Sequence, residues 1–344
     1  MISDPEGRRP WGSLHGAMPR LGSDRPFGTL VVGAGLIGGS VAAALLAAGH
    51  EVTVLTRSPP SPGAAARLAG ARVVVGDAAD AEPTAAAFEG AGTVLYCAGA
   101  AGPAEAERDP VAAERATIRP LLGVLRAAER RPGTRLLFVS SGGTVYGDAG
   151  TAPVSEARPL RPMSTYARLK AEAEGHLAGA RAHTGVAATA LRCANVYGPG
   201  QAPWRSQGVV ATLLAAAASD GAVVPLFGDG RAVRDHILID DVARAVVSLL
   251  ALPSLPPAVN VGTGVGTTLS QLVALVEDVT GRQLAVRWHA SRPTDLGHVV
   301  LDVAQLRQLV GYAPTPLRAG LTALWAAGGA GDADVDAAAD RSLA

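Results

Sequence analysis

The sequence predicts an α/β fold: a doubly wound parallel sheet with a smaller C-terminal lobe. Three observations predict it. From Thr29 onward, short β-branched runs alternate with Ala- and Leu-rich stretches. The runs are apolar almost without interruption, as strands buried on both faces are. A glycine-rich turn follows the first of them. The candidate strands are 29–33 (TLVVG), 51–55 (EVTVL), 71–76 (ARVVVG), 93–99 (TVLYCAG), 135–141 (RLLFVSS) and 188–192 (ATALR). After Asn195 the pattern turns irregular, with Pro, Gly and Trp in VYGPGQAPW and mixed short elements beyond. The expected organisation is a flexible extension at 1–26, a sheet domain over 27–194, a lobe built mainly from 195–327 and a flexible tail at 328–344. Residues 235–262 are expected to return a strand and a helix to the sheet domain.

Composition narrows the setting. A chain of 344 residues can bury a sizeable core. Its 30 acidic and 30 basic side chains cancel, which points away from nucleic acid and anionic membranes as partners. Cys97 and Cys193 fall in separate apolar runs and match no metal or disulfide spacing, so a reducing cytoplasm is the expected location. No histidine pair has zinc-site spacing, and no metal is expected. The uncharged run from Phe27 to His50 changes from strand-like, glycine-rich sequence to helix-like sequence partway, which a membrane span would not do. Arg8 and Arg9 are cut off from any apolar stretch by charged and Pro-rich sequence, unlike an export signal.

The glycine-rich turn GAGLIGG places Gly33, Gly35 and Gly38 in G-x-G-x-x-G spacing, directly after a strand and opening a helix. The first glycine permits the tight turn, the second a close approach by a pyrophosphate, and the third close helix–strand packing. That context makes the sheet a Rossmann-type, dinucleotide-binding one. At the tip of the next strand a carboxylate would hold the ribose 2′-hydroxyl of NAD, but Thr56, Arg57 and Ser58 stand there. An arginine can pair with a 2′-phosphate, so the residue types favour NADP(H), with NAD(H) as the alternative. Asp77, after the third strand, is a candidate adenine contact, and Ala98 closes the fourth strand at the cofactor side.

Of 30 long cations, 29 are arginine, and the only lysine is Lys170. Coding bias toward GC-rich codons accounts for the arginines, so the surviving ammonium marks a place where a planar guanidinium will not serve. It lies four residues after Tyr166, hence on the same face of a helix. A free phenol, with a pKa of about 10, is a poor catalyst at neutral pH. A cation beside it stabilises the phenolate and brings the pKa toward the working range, and lysine can also bond ribose hydroxyls.

With these motifs placed, the chain resembles the extended short-chain dehydrogenase/reductases, the family of nucleotide-sugar epimerases, dehydratases and reductases. The resemblance runs from about Thr29 to Trp325 through SSGGTVYG (140–147), STYARLK (164–170), LRCANVYGPGQ (191–201), GDGRAVRDHILIDDVARA (228–245), NVGTG (260–264) and RPTDL (292–296). The only asparagines, Asn195 and Asn260, both fall inside these motifs. The resemblance implies hydride transfer at a sugar carbon, most often C4, with Tyr166 moving the hydroxyl proton. It implies that a Ser or Thr helps Tyr166, usually at the position held here by Gly142, which leaves Ser141 or Thr144 for that task. Thr117 stands where many relatives carry asparagine. The resemblance also implies that Asn195, Arg234 and Arg292 face a nucleoside diphosphate, with Arg231 as a lesser helper. Arginine forks suit such a dianion, and pairing with Asp235, Asp240, Asp241 or Asp295 is the competing role. Asp240 and Asp241 are read as capping the following helix.

Two functions follow from the resemblance. One is an NADPH-dependent 4-ketoreductase acting on a nucleoside-diphosphate 4-keto-6-deoxy sugar, in deoxysugar or natural-product biosynthesis. The other is an NAD-dependent UDP-hexose 4-epimerase. Arg57 and the departures at Gly142 and Thr117 favour the reductase, whereas the Arg234/Arg292 pair suits the epimerase. A dehydratase lacks its Asp-Glu pair near SSGGTVYG, and a non-catalytic NADP-binding protein would not be expected to keep Tyr166 and Lys170. The resemblance further implies a homodimer through the helices near 111–130 and KAEAEGHLAGA (170–180).

Overall fold

The computed structural model describes residues 28–99, 102–203, 208–219 and 221–328. The extension expected at 1–26, and the tail expected at 328–344 apart from its first residue, lie outside the described residues. The chain runs β1 (Gly28–Val32), α1 (Leu36–Ala47), β2 (Val52–Thr56), α2 (Pro62–Arg67), β3 (Arg72–Val75), α3 (Ala81–Ala87) and β4 (Ala91–Tyr96). It continues through α4 (Pro103–Arg108), α5 (Pro110–Glu129), β5 (Arg135–Ser141), α6 (Thr165–His183), β6 (Ala187–Cys193) and β7 (Asn195–Tyr197). Next come α7 (Val209–Ala218), β8 (Val223–Phe227), β9 (Val233–Leu238), α8 (Ile239–Ala251), β10 (Ala258–Val261) and β11 (Gly266–Thr268). Last are α9 (Leu269–Thr280), β12 (Ala285–His289), β13 (His298–Val299), α10 (Ala304–Val310) and α11 (Leu317–Ala326).

Each of the six expected runs contains a strand. They join β10 in one seven-stranded sheet, ordered β10-β6-β5-β4-β1-β2-β3. All its neighbours are parallel. The chain works outward from β1 to β3, then returns to the other side of β1 at β4. The strand order therefore reverses at β1, and a crevice opens beyond the C-terminal ends of β1 and β4.

Both faces of the sheet are covered. Val31, Val54, Leu95, Leu137 and Leu191 pack with Val41 and Leu45 of α1 and Val242 and Val246 of α8. Leu30, Val32, Leu55, Tyr96 and Phe138 point the other way, onto Leu121 and Val124 of α5 and Leu169 and Leu177 of α6. Burying one such side chain contributes about 1.5–3 kcal/mol, which is why the apolar runs become strands despite their lack of alternation.

A smaller assembly stands beside this sheet. β9 pairs antiparallel with β11 and parallel with β13 and β7, while β8 pairs with β12. Its own core gathers Leu213, Leu226, Leu238, Leu272, Val276 and Leu321. β7 follows β6 after a single residue, so the end of the large sheet feeds directly into the small one.

Asp235 and Asp241 take partners that the sequence did not specify. Among the described residues Asp235 makes no ion pair with an arginine: it accepts hydrogen bonds from Thr263 N (2.9 Å), Thr263 Oγ1 (2.6 Å) and Gly264 N (3.0 Å). Burial pushes its carboxyl up, against the pull of those donors. Asp241 does not cap α8, whose N-cap position is Leu238. Its carboxylate instead takes Arg244, Thr315 N (2.7 Å) and Thr315 Oγ1 (3.0 Å), tying α8 to the segment before α11. An acid in the first helical turn satisfies the same charge preference either way, so sequence cannot separate the two roles.

His236, also on β9, is buried, and desolvation with the nearby Arg234 charge lowers its pKa to about 4. The unfolded imidazole binds its proton near 6.5, so between those values the unfolded state holds more protons and stability falls as pH drops. The full loss is on the order of 3 kcal/mol. Asp235 works in the opposite direction, so the comparison is between variants. Chemical denaturation at pH 7 and 4.5 is expected to show a smaller acid-induced loss in His236→Gln than in the parent. Equal losses would mean that His236 does not titrate in this window.

Candidate active site

The glycine turn fits an anionic ligand. Gly33 has φ +93, and a Cβ there would lie 2.8 Å from Ala98 N. A Cβ on Gly38 would lie 1.9 Å from Gly33 O. These two are needed for the turn and for packing. Gly35 differs: a Cβ there would meet nothing within 4 Å. It is the N-cap of α1, which has neither a side-chain cap nor an acid in its first turn. The first N–H groups of this 12-residue helix thus have no side-chain cap among the described residues, a setting that suits a pyrophosphate.

The residues expected at the adenine side converge around the end of β4. Tyr96 is fully buried, and its hydroxyl has no hydrogen-bond partner among the described residues. Burial first, then Asp77 and Cys97, push its pKa up, while Arg57 pulls it down. Asp77 and Arg57 therefore both act on this corner. Asp77 accepts from Ala79 N (2.8 Å), closing a tight turn. Thr56 Oγ1 donates to Ser58 O (3.2 Å), shaping the loop that carries the exposed Arg57. Arg57 has no ion pair with an acid among the described residues.

Tyr166 and Lys170 share the first turns of α6. Ser164 caps this helix by accepting from Ala167 N (3.1 Å). The Glu107 carboxylate, from α4, accepts from Thr165 N (2.5 Å) and Thr165 Oγ1 (3.0 Å). Lys170 is only 7% exposed. Its Nζ donates to Val139 O (2.9 Å) and stands 4.8 Å from the Phe138 ring centre and 5.8 Å from that of Tyr166. It makes no ion pair among the described residues, which leaves two of its three donors for a ligand. A Cβ on Gly99 would lie 3.8 Å from Nζ, so the ammonium faces the end of β4.

Cys97 and Cys193, distant in sequence, end strands on either side of β5. Burial raises both thiols, Cys193 to about 12, although the Lys170 charge pulls each down. They are a neutral floor to the site. Thr144 Oγ1 donates to Ser141 O (3.3 Å), so both candidate hydroxyls lie in one turn beyond β5. At Gly142 a Cβ would meet Arg192 O and Leu301 Cδ1, each at 2.7 Å. Thr117 is buried on α5.

Beneath this turn lies a buried polar network absent from the sequence reading. Glu174 accepts from Ser140 Oγ (2.5 Å), Arg192 Nε (3.0 Å) and Arg192 Nη2 (2.7 Å). Arg192 Nη1 donates to Tyr146 Oη (2.9 Å), which donates to Asn260 Oδ1 (2.7 Å). Asn260 Nδ2 then donates to Val154 O (2.8 Å). The available signal was Arg192 itself, a charge inside an apolar strand that demands a partner.

On the far side, Asn195 Nδ2 donates to Asp235 O (3.1 Å), and its amide lies next to Gly143. Arg234 forms no ion pair with a carboxylate among the described residues. It donates to Val233 O (2.9 Å) and Leu296 O (2.7 Å), and burial lowers its pKa against the fields of Asp295 and Asp148. Arg292 belongs to the same 292–296 turn, where its N–H donates to Asp295 Oδ2 (2.7 Å). Its guanidinium lies 3.6 Å above the ring centre of Phe227, which stacks on His289 at 5.4 Å. Phe227 and His289 were not expected. Arg231 is exposed beside Asp229 and joins neither arginine.

Residues 29–262 match the NAD dependent epimerase/dehydratase family. The chain belongs to that family. It is an NAD(P)-dependent enzyme with the extended short-chain dehydrogenase/reductase fold. A UDP-glucose 4-epimerase of Mycolicibacterium smegmatis is 34% identical over 296 residues, 83% of this chain and 93% of the relative. A dTDP-4-dehydro-6-deoxy-D-allose reductase of a Streptomyces species is 30% identical, over 86% of this chain and 95% of the relative. The crystal structure of Thermus thermophilus UDP-glucose 4-epimerase in complex with NAD superposes with a TM-score of 0.79 at 32% identity, covering 86% of this chain and 96% of the other.

The family's glycine turn gives contrasting variants. Gly38→Ala is expected to lower the thermal midpoint by several degrees, since overpacking against Gly33 O costs about 1–3 kcal/mol. Gly35→Ala is expected to fold normally and to bind dinucleotide roughly tenfold or more weakly in a fluorescence titration. Unchanged binding by Gly35→Ala would remove the α1 N-terminus from the cofactor site.

Proposed function

We propose that this enzyme is an NADPH-dependent 4-ketoreductase of a nucleoside-diphosphate 4-keto-6-deoxy sugar. The observation that carries this reading is the corner at the end of β2. An exposed Arg57 with no acidic partner among the described residues stands where a carboxylate would select NAD. The free donors of Arg57 and Ser58 suit a 2′-phosphate.

When bound, the dinucleotide supplies the hydride. Tyr166 Oη gives its proton to the C4 oxygen, and Lys170 stabilises the resulting phenolate while bonding the nicotinamide ribose. Thr144, with Ser141 beside it, polarises the same oxygen. Asn195, Arg234 and Arg292 hold the nucleoside diphosphate. Arg234 is fixed by two carbonyls, and Arg292 exchanges its Phe227 contact for phosphate oxygens.

The second reading, a UDP-hexose 4-epimerase, is favoured by the 34% identical UDP-glucose 4-epimerase and by the presence of both Arg234 and Arg292. It requires a tightly held NAD instead of an exchanging NADPH. For either reaction we propose a homodimer. The groove between α5 and α6, lined by Leu122, Leu125, Gly175 and Gly179, is a surface on which a second copy's helices can pack.

Two measurements test the reading. Nucleotide released from the purified protein is expected to be substoichiometric, with NADPH binding more tightly than NADH and Arg57→Ala losing roughly tenfold of that preference. Stoichiometric bound NAD would sink the reductase in favour of the epimerase. Tyr166→Phe is expected to lower kcat by about 10²–10⁴, and Lys170→Arg to fold but lose most turnover. Normal turnover in Tyr166→Phe would end the catalytic assignment.

A further inference from the structure

α6 is joined to β5 at two successive residues of the strand. Lys170 Nζ takes Val139 O at 2.9 Å, and one helical turn later Glu174 takes Ser140 Oγ at 2.5 Å. Lys170 and Glu174 are four residues apart, the spacing at which a carboxylate and an ammonium meet on one helix face. They form no ion pair here. Arg192, from β6, occupies Glu174 instead, with Nε at 3.2 and 3.0 Å and Nη2 at 2.7 Å. Both members are nearly buried, with side chains 10% and 8% exposed.

Stability alone does not account for this pair. Two charges taken out of water lose about as much hydration as their attraction returns, and an apolar pair of similar volume is often as stable or more so. A charge on Arg192 does something no apolar side chain could: it engages a carboxylate that would otherwise turn toward the only lysine. We propose that Arg192 is a positioning residue that sequesters Glu174 and thereby keeps the Lys170 charge available to Tyr166. The inference rests on Tyr166 being the catalytic acid.

The surroundings make Arg192 the deciding partner. Of the other groups facing this part of α6, Glu107 is committed to Thr165 and Arg168 donates to Thr165 Oγ1 (2.7 Å). Cys97 from β4 and Cys193 from β6 are neutral thiols. Arg126 and Glu129 of α5 lie with His176 and His183 toward the other end of the helix.

The five tyrosines allow a direct test without a substrate. Burial pushes Tyr96, Tyr146, Tyr197 and Tyr312 up, which moves their ionisation away from the range in which a catalytic tyrosine would titrate. Ultraviolet difference titration of the intact protein, with Tyr166→Phe subtracted, reports the midpoint of Tyr166. Arg192→Gln is expected to raise that midpoint by about one pH unit, a tenfold change in proton affinity. Arg192→Gln combined with Glu174→Gln is expected to return it. Glu174→Gln alone, and Arg192→Lys, are expected to leave it without an upward shift. A purely structural pair would affect both single neutral variants alike. An unmoved midpoint in Arg192→Gln, a raised one in Glu174→Gln, or no recovery in the double variant overturns the inference. If Arg192→Gln fails to fold, Arg192→Lys decides: a midpoint raised there overturns it, and a parental midpoint together with none raised in Glu174→Gln supports it. If the parental Tyr166 itself titrates as an ordinary phenol, with a pKa of about 10, the catalytic reading fails instead.

Discussion

The hydrogen bond from Lys170 Nζ to Val139 O is the constraint around which the site is arranged. A buried ammonium is costly unless its hydration is replaced. Here the replacement is one carbonyl at the end of β5 and the faces of Phe138 and Tyr166. Lys170 makes no ion pair among the described residues, which leaves two of its three donors for a ligand. A guanidinium does not match this setting, because a rigid planar fork would replace the compact, freely rotating ammonium. Lysine persists at this one position in a chain that otherwise uses arginine.

That bond works because the N-terminal half of α6 and the strands beneath it are fixed independently. Ser164 and Glu107 satisfy the first N–H groups of the helix, and Glu174 anchors its next turns to Ser140. In a parallel sheet all C-terminal ends lie on one edge, so β1, β4, β5 and β6 deliver Gly33, Ala98, Ser141 and Cys193 to the same rim. β10 extends the rim, and Asn260 at its center ties β10 to Tyr146 and Val154. The fold thus supplies proximity, and the side-chain network supplies orientation.

Residues whose role follows from backbone geometry were legible in the sequence. The strands were visible because both-face burial demands apolar runs, and Gly33, Gly35 and Gly38 because their spacing is set by a turn. Tyr166 and Lys170 were legible through helical spacing and through rarity. What escaped depends on chain crossings that no local pattern encodes. Glu174 looks like an ordinary surface charge, and the partner that Arg192 demands inside its apolar strand cannot be named, until β6 is laid beside β5. Cys97 and Cys193 become neighbours of one ammonium only through the sheet order. Phe227, Arg292 and His289 meet because β8 and β12 pair in parallel over a long separation.

Gly142 shows how the two kinds of constraint interact. The family pattern puts a hydroxyl at this position, and its absence looks at first like a lost catalytic group. The Cβ of any other residue would approach the Arg192 carbonyl and Leu301 at 2.7 Å. Arg192 is held in that place by Glu174 on one side and by Tyr146 and the Glu156 carbonyl on the other. The strand that carries the sequestering arginine therefore also closes the space for a side chain at 142. With that space closed, the reaction proposed above would draw its polarising hydroxyl from Ser141 or Thr144 in the same turn. Thr144 is suited to it, since its bond to Ser141 O, at 3.3 Å, is long enough to be given up for a substrate oxygen.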